Sequence, residues 1–256
     1  MEERGMNRRI RKLRRESMEI LPRIDMERAK YFTEAYRRYE GEVSIPELRA
    51  LALKNYFAKK TLHIGDGELI VGEKGCGPQA SPTFPDLCCH SPEDLKVMND
   101  RELISFQVSE EDYEFQEKEI IPYWEKRSIR RKILAHMTPE WKAAYHAGIF
   151  TEFMEQRGPG HTVGSENIYK KGFLEHKEDI RRELERLDYY HDPEALNKEA
   201  ELKGMSIACD AILMLASRYT ALAEEMAGAC ENAERRAELL QIAQNCRRVP
   251  AHRPAT

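Results

Sequence analysis

No hydrophobic run in the chain approaches the roughly 18 residues that a membrane span needs, so the sequence predicts no membrane partner. The first residues, Met-Glu-Glu-Arg, lack the apolar stretch of a secretory leader. Neither sign of charge dominates. The 45 acidic and 41 basic residues leave a formal net charge of −4, which argues against general nucleic-acid binding by the whole chain. Cysteines are few, at positions 76, 88, 89, 209, 230 and 246. Adjacent Cys88-Cys89 and three cysteines in helix-like stretches do not resemble a secreted disulfide framework, so the expected setting is reduced and cytoplasmic. No Gly-Lys-Ser/Thr follows Gly65-Asp66-Gly67-Glu68, which disfavours a phosphate cradle. Internal repeats and low-complexity segments are also missing.

What remains is a strongly charged chain of 256 residues, 34% Asp, Glu, Lys or Arg. That length suits one large domain or two modest ones. The pattern is mainly α with a few short strands. Residues 1–18 are basic, with Arg4, Arg8, Arg9, Arg11, Lys12, Arg14 and Arg15 diluted by Glu2, Glu3 and Glu16. They read as a solvated helix or an arm laid over an acidic part of the same protein, with a nucleic-acid arm as the alternative. Asp25 can cap a helix to about Tyr39, with Met26, Ala29, Phe32, Ala35, Tyr36 and Tyr39 at helical spacing. Ser44-Ile45-Pro46-Glu47 fits a capping box opening a second helix, whose Leu48, Leu51 and Ala52 point inward. Leu62-His63-Ile64 and Leu69-Ile70-Val71 read as short strands around a Gly65-Asp66-Gly67 turn.

Seven Gly or Pro residues fall between Gly72 and Pro92, yet Phe84, Leu87, Cys88 and Cys89 predict an ordered, packed loop. Ser91-Pro92, Thr138-Pro139 and Asp192-Pro193 each read as a cap followed by proline at the first helical position. Ser109, followed by Glu110, Glu111 and Asp112, adds another start. Ser165 opens a helix over about 166–187. The longest helix follows Pro193, with Met205, Cys209, Ile212, Leu215, Tyr219, Leu222 and Met226 as its core stripe. A last helix covers about 231–246.

Most candidate chemistry has a plain reading. Cys88-Cys89-His90 fits buried thiols in a packed loop better than zinc, because adjacent cysteines chelate one ion poorly. Gly75-Cys76-Gly77 could expose a thiol, but only Lys74 stands nearby in sequence to activate it. Tyr189-Tyr190-His191 reads as a helix end that packs, and His136 and His146 as ordinary helix residues. The distinctive stretch is Arg157-Gly158-Pro159-Gly160-His161-Thr162. Two glycines and a proline forbid helix there, and the imidazole can donate, accept or carry a proton near neutral pH. His161 reads either as a turn residue or as a polar group aimed into a pocket with Phe153 as an apolar wall. No general base or nucleophile is visibly paired with it.

Several segments together resemble the N-terminal part of glycyl radical enzymes of the pyruvate formate-lyase superfamily. They are Arg28-Ala29 with Thr33-Glu34-Ala35-Tyr36; Asp66-Gly67-Glu68-Leu69-Ile70-Val71-Gly72-Glu73; and the run from Phe153 to Thr162. Ile168-Tyr169-Lys170-Lys171-Gly172-Phe173 and Val249-Pro250-Ala251-His252 also fit. Phe153-Met154-Glu155-Gln156-Arg157 resembles the hydroxyproline-dehydrating group in particular. The resemblance implies a cytoplasmic, anaerobic enzyme folded as a strand barrel wrapped by helices. It implies an organic radical on a glycine, installed by a radical S-adenosylmethionine activating enzyme with a [4Fe-4S] cluster, and a homodimer at full length. A small-molecule substrate, trans-4-hydroxy-L-proline, would lose water by thiyl-radical chemistry. Phe153 and His161 would line its pocket, with His161 contacting the hydroxyl that leaves.

The departures are as informative. The Gly-Cys-x-Glu motif of the catalytic cysteine and the Arg-Val-x-Gly-Tyr loop of the radical glycine are not in these 256 residues, and neither Cys76 nor Cys230 has the right context. The expectation is an inactive N-terminal part of such a domain with no cofactor of its own. It would be divided into a basic arm and helical start (1–60), short strands and a Gly/Pro loop (61–92), and a helical region (93–250) carrying the 157–162 pocket loop. The alternatives are another glycyl radical lyase, acting on a diol, choline or a sulfonate or resembling formate acetyltransferase, and a non-enzymatic helical binding module.

Overall fold

The structure, a computed structural model, describes residues 7–150 and 166–255. Helices dominate, as expected. Arg8–Glu19 (α1) leads to a short strand, Arg23–Asp25 (β1), and then Glu27–Tyr39 (α2) and Ile45–Lys59 (α3). After a second strand, Ala80–Pro82 (β2), come Pro92–Asp100 (α4), Glu110–Phe115 (α5), a π-turn at Gln116–Ile120, and Ile121–Trp124 (α6). Ile129–His136 (α7) and Pro139–His146 (α8) complete the first part. Asn167–Lys170 (α9), Phe173–Glu185 (α10), Ala195–Ala229 (α11) and Ala233–Arg248 (α12) form the second.

The 35-residue α11 is the spine, packed against α3, α10 and α12. Small residues let α3 and α11 approach closely. Gly204 faces α3 so tightly that a Cβ there would stand 2.9 Å from the Pro46 carbonyl oxygen. Ala211, Ala223 and Ala227 are buried along the same helix. This corrects the expected core stripe. Cys209 and Tyr219 are buried, and Ile212, Leu215, Leu222 and Met226 are half-buried, but Met205 is 53% exposed. The contact that sets the helix spacing is made by glycine and alanine, which a search for large apolar residues passes over. An 18-residue window of α11 also reaches a mean hydropathy of 1.2, long and apolar enough by composition to cross a membrane, which the sequence scan did not flag. Within that helix Arg218 donates to the carbonyls of Phe57 (2.6 Å) and Lys60 (2.9 Å), tying it to the end of α3. Tyr219, Ala223 and Ala227 join Ile64, Leu239, Ile242 and Ala243 in one core cluster.

The predicted strands at 62–64 and 69–71 are not strands. Leu62, Ile64 and Val71 spend their side chains on the α11–α12 core instead. The Gly65–Glu68 turn between them exists, with Gly67 at φ +83°. Its carbonyls accept from Arg235 on α12, at 2.8 Å (Gly65) and 2.7 Å (Glu68), rather than from a ladder. The strands that do form are parallel and distant in sequence, with Arg23 opposite Ala80 and Asp25 opposite Pro82, and a further bridge joins Arg23 to Gln107.

Capping chemistry placed most helix starts. Ser44, Ser91 and Ser109 form full capping boxes with Glu47, Asp94 and Asp112, and Thr138 caps α8. Three boundaries moved. Asp25 accepts from Glu27 N (2.8 Å) but the cap position is Met26. Pro193 lies in a turn, and Asp192 accepts from Glu194 N (2.9 Å) just before α11 begins at Ala195. Asn232 caps α12, which therefore starts at Ala233 and runs to Arg248. The helix expected over 166–187 is two helices, broken at Lys171-Gly172, and Ser165 lies outside the described residues. The break exists because the segment after α12 docks there. Phe173 N donates to Pro250 O (2.9 Å) and Leu174 N to Ala251 O (3.2 Å), so foreign carbonyls satisfy the free donors of α10. Of Tyr189, Tyr190 and His191, Tyr189 is half exposed and bonds to Glu199 on α11, Tyr190 is 96% exposed, and His191 is exposed and bonds to Asp188 (2.8 Å) in its own turn. The basic arm is laid on the protein: α1 pairs Arg9 with Glu238 and Lys12 with Asp66.

Candidate functional site

Phe153 and His161, with the whole 157–162 loop, lie outside the described residues. The chain enters that segment at Phe150 and leaves it at Glu166, and the described structure shows what stands at the entrance. The foundation is the Gly/Pro-rich loop, which is ordered and packed as expected. Arg28 on α2 forks onto both Asp86 oxygens (2.8 and 3.2 Å) and donates to the Thr83 carbonyl (3.3 Å). Its guanidinium is sandwiched between the rings of Phe32 (3.7 Å) and Phe84 (4.0 Å). Arg28 and Asp86 are both buried, so the pair is a fixed strut rather than a surface contact. Thr33, one turn further, accepts from the Trp124 indole (2.7 Å) and donates to Ala29 O (2.6 Å).

The loop then carries α7. Ile129 N donates to Asp86 O (2.9 Å) and Arg130 N to Leu87 O (3.0 Å), while Ser128 caps the helix. Arg130 sends one nitrogen to Cys88 Sγ (3.2 Å) and the other to the Tyr145 hydroxyl on α8. The Tyr145 and Trp141 rings both meet Phe150, with centroids 5.7 and 5.3 Å away. An arginine thus ties the thiol loop to an aromatic platform that ends one residue before Thr151. Beside it, Ile24, Phe84, Leu87, Met98 and Phe106 line an apolar cavity of about 460 Å³ that also reaches Cys88 and His90.

Two thiols, Cys89 and Cys76, are held in the protonated form. Gln116 in the π-turn is buried and donates to His90 O (2.6 Å), with Cys89 Sγ at 3.9 Å. Burial pushes the Cys89 thiol up to about 12. Cys76 has a neighbour that sequence reasoning missed: Arg23 Nη2 stands 3.2 Å from its sulfur. Burial and then the Asp25 carboxylate, which accepts from Cys76 N (2.8 Å), nonetheless raise its pKa, so it stays a thiol at neutral pH. His136 and His146 are exposed. Among the described residues no three His, Cys, Asp or Glu side chains gather as a metal site. Arg130, Tyr145 and Gln116 could not have been found from sequence. Arg130 is one of 41 basic residues, and only the fold sets it against Cys88.

This helical arrangement has counterparts among solved structures. The sequence profile of the pyruvate formate lyase-like family matches residues 4–256. The chain belongs to that family. It is 54% identical over 253 residues to trans-4-hydroxy-L-proline dehydratase of Clostridioides difficile, covering 99% of this chain and 32% of that protein. The solved structure of the Clostridioides difficile hydroxyproline dehydratase with trans-4-hydroxy-L-proline bound superposes with a TM-score of 0.94, over 99% of this chain and 32% of that one. The B12-independent glycerol dehydratase of Clostridium butyricum, with glycerol bound, is 30% identical with a TM-score of 0.88, covering all of this chain and 33% of its own. Isethionate sulfite-lyase of Oleidesulfovibrio alaskensis is 31% identical over 240 residues, 90% of this chain and 29% of that protein. The chain therefore spans about a third of the length of the relatives it matches.

Proposed function

We propose that this chain is the N-terminal helical portion of a glycyl radical dehydratase that removes water from trans-4-hydroxy-L-proline. The observation that carries the reading is the 54% identity to the Clostridioides difficile dehydratase along nearly the whole chain, against 30–31% to the glycerol and isethionate enzymes. In this reading Phe153 supplies an apolar wall of the substrate pocket, and His161 meets the leaving hydroxyl and hands it a proton, so that the oxygen departs as water. The Arg130–Tyr145–Phe150 platform, next in sequence to the segment that carries both residues, supports this reading. The thiyl cysteine that abstracts the substrate hydrogen and the glycine that stores the organic radical belong to the remaining two thirds of the relatives' length. The activating enzyme, with S-adenosylmethionine and a [4Fe-4S] cluster, is a separate partner. The complete protein works as an anaerobic, cytoplasmic homodimer, and residues 1–60, 61–92 and 93–250 act as arm, loop base and pocket-bearing region of one domain.

The test is anaerobic activation of the full-length protein, followed by assay with trans-4-hydroxy-L-proline, glycerol and isethionate side by side. Turnover of hydroxyproline alone is expected, with none from residues 1–256 in isolation. His161→Gln should lower kcat by about 10²–10⁴ with a smaller change in KM. Preferential turnover of glycerol or isethionate, or full activity in His161→Gln, would overturn the assignment.

A further inference from the structure

We propose that α1 is a polar strap over a cavity, held down chiefly by two charge pairs and loosened when they are screened. The helix Arg8–Glu19 buries no side chain. Its inward residues, Arg9, Lys12, Leu13 and Glu16, are only half-buried, while Arg8, Ile10, Arg14, Arg15 and Met18 face outward and are exposed. With so little apolar surface removed from water, hydrophobic burial does little to hold it down.

Polar pins hold it instead. Arg9 pairs with Glu238 on α12, and Lys12 pairs with Asp66 at the tip of the Gly65–Glu68 turn. Near the far end, Gln79 donates to Ser17 O (3.2 Å) and Ser17 Oγ (3.3 Å). Lys12 and Asp66 perturb each other as partners should, the amine upward and the carboxyl downward. Beneath the helix lies a cavity of about 940 Å³, walled by Leu13, Glu16 and Ile20 on one side and by a mixed face with Asp66, Glu73 and Lys74 beside Ile70 and Val71 on the other.

What lies under the strap does not depend on it. Arg235 holds the turn through the Gly65 and Glu68 carbonyls and pairs with Glu238 at 3.0 Å. When Arg9 lets go of Glu238, that carboxylate keeps Arg235, and the turn keeps its shape. The strap can therefore swing away without unfolding the body, uncovering the cavity wall and freeing a basic helix in one motion.

Hydrogen exchange by mass spectrometry on the full-length protein, read on peptides from residues 8–19 and from α11, tests this. Between about 50 mM and about 1 M NaCl, where the screening length falls to about 3 Å, exchange in residues 8–19 should rise about three- to tenfold. Exchange in the α11 core should stay fixed. Lys12→Glu and Asp66→Lys should each give fast exchange at low salt, and the charge-swapped double variant should restore protection. Salt-independent exchange in α1, or a double variant as exposed as either single one, would overturn the proposal. Loss of α11 protection together with α1 would also overturn it, since the helix would then be part of the cooperative fold.

Discussion

Replacing Gly172 with alanine tests how the two ends of the second helical part are joined. A Cβ at Gly172 would stand 2.2 Å from the Ala251 carbonyl oxygen and 2.4 Å from His252 Cα. The dihedrals are ordinary for alanine, φ −92° and ψ 176°, so the penalty is steric rather than conformational. Both obstacles are backbone, which cannot rotate away. Relief needs a shift of about 1 Å in the 250–252 segment to reach ordinary contact. That shift stretches the bonds from Phe173 N to Pro250 O (2.9 Å) and from Leu174 N to Ala251 O (3.2 Å). Overpacking costs about 1–3 kcal/mol. Each weakened bond costs about 0.5–1.5 kcal/mol. The stiffer unfolded chain returns about 0.4–1 kcal/mol. The net loss is about 3 kcal/mol, or roughly 6–12 °C in Tm for a chain of this size. The control is Gly228→Ala in the last turn of α11, where an added Cβ meets nothing within 4 Å. It should be neutral or stabilising by up to about 1 kcal/mol. Urea and thermal melts followed by circular dichroism would report both. If Gly172→Ala melts with the parent, the docking of residues 250–252 on α10 is wrong.

Three other perturbations follow from the same contacts. Arg28→Ala leaves Asp86 buried without its partner and should destabilise by about 3–5 kcal/mol, whereas removing an exposed arginine such as Arg186 should change the urea midpoint little. Cys89, half-buried and with its thiol pushed up to about 12, should label slowly with iodoacetamide near pH 8 until the chain is unfolded, and rapid labelling of the folded protein in peptide mass spectra would contradict that shift. Glu34, Asp66 and Glu238 are held below their ordinary values by hydrogen bonds from Lys59, Lys12 and Arg235. As pH falls the unfolded chain protonates first, so their contribution is full above the ordinary glutamate value of 4.5 and is lost as pH drops through the lower folded values. Urea midpoints should therefore decline on acidification, and a flat profile down to about pH 3 would refute the pairing.

Much of the fold was legible because helix starts are written locally. Ser44, Ser91, Ser109 and Thr138 bond to amides three residues on, so the cap and its partner sit in one short window of sequence. The misses share the opposite cause. Leu62-His63-Ile64 has strand chemistry, but α11 and α12 took its side chains and Arg235 its turn carbonyls. The real strands needed Arg23 and Ala80 to meet across the chain, which three-residue runs cannot announce. Of the candidate site, the sequence offered Phe153 and His161, which lie outside the described residues, and missed the Arg130–Cys88–Tyr145 tie that supports the entrance.

The motifs that carried the family resemblance show where sequence stops and tertiary structure begins. As strings, Arg28-Ala29, Asp66-Gly67-Glu68, Lys171-Gly172-Phe173 and Val249-Pro250-Ala251 are unrelated, yet together they pointed to the family. The fold supplies their reasons. Arg28 braces Asp86, Arg235 grips the Gly65–Glu68 turn, and Gly172 admits the 250–252 backbone. Local hydrogen bonding and side-chain period determined the helical class and the caps at Ser44, Ser91, Ser109 and Thr138 by sequence alone. Partnership was decided only by folding: which guanidinium neutralises which buried carboxylate, which thiol stays protonated, and which glycine cannot carry a Cβ. Those energies depend on distance and desolvation between groups up to 229 residues apart, and no local pattern encodes either.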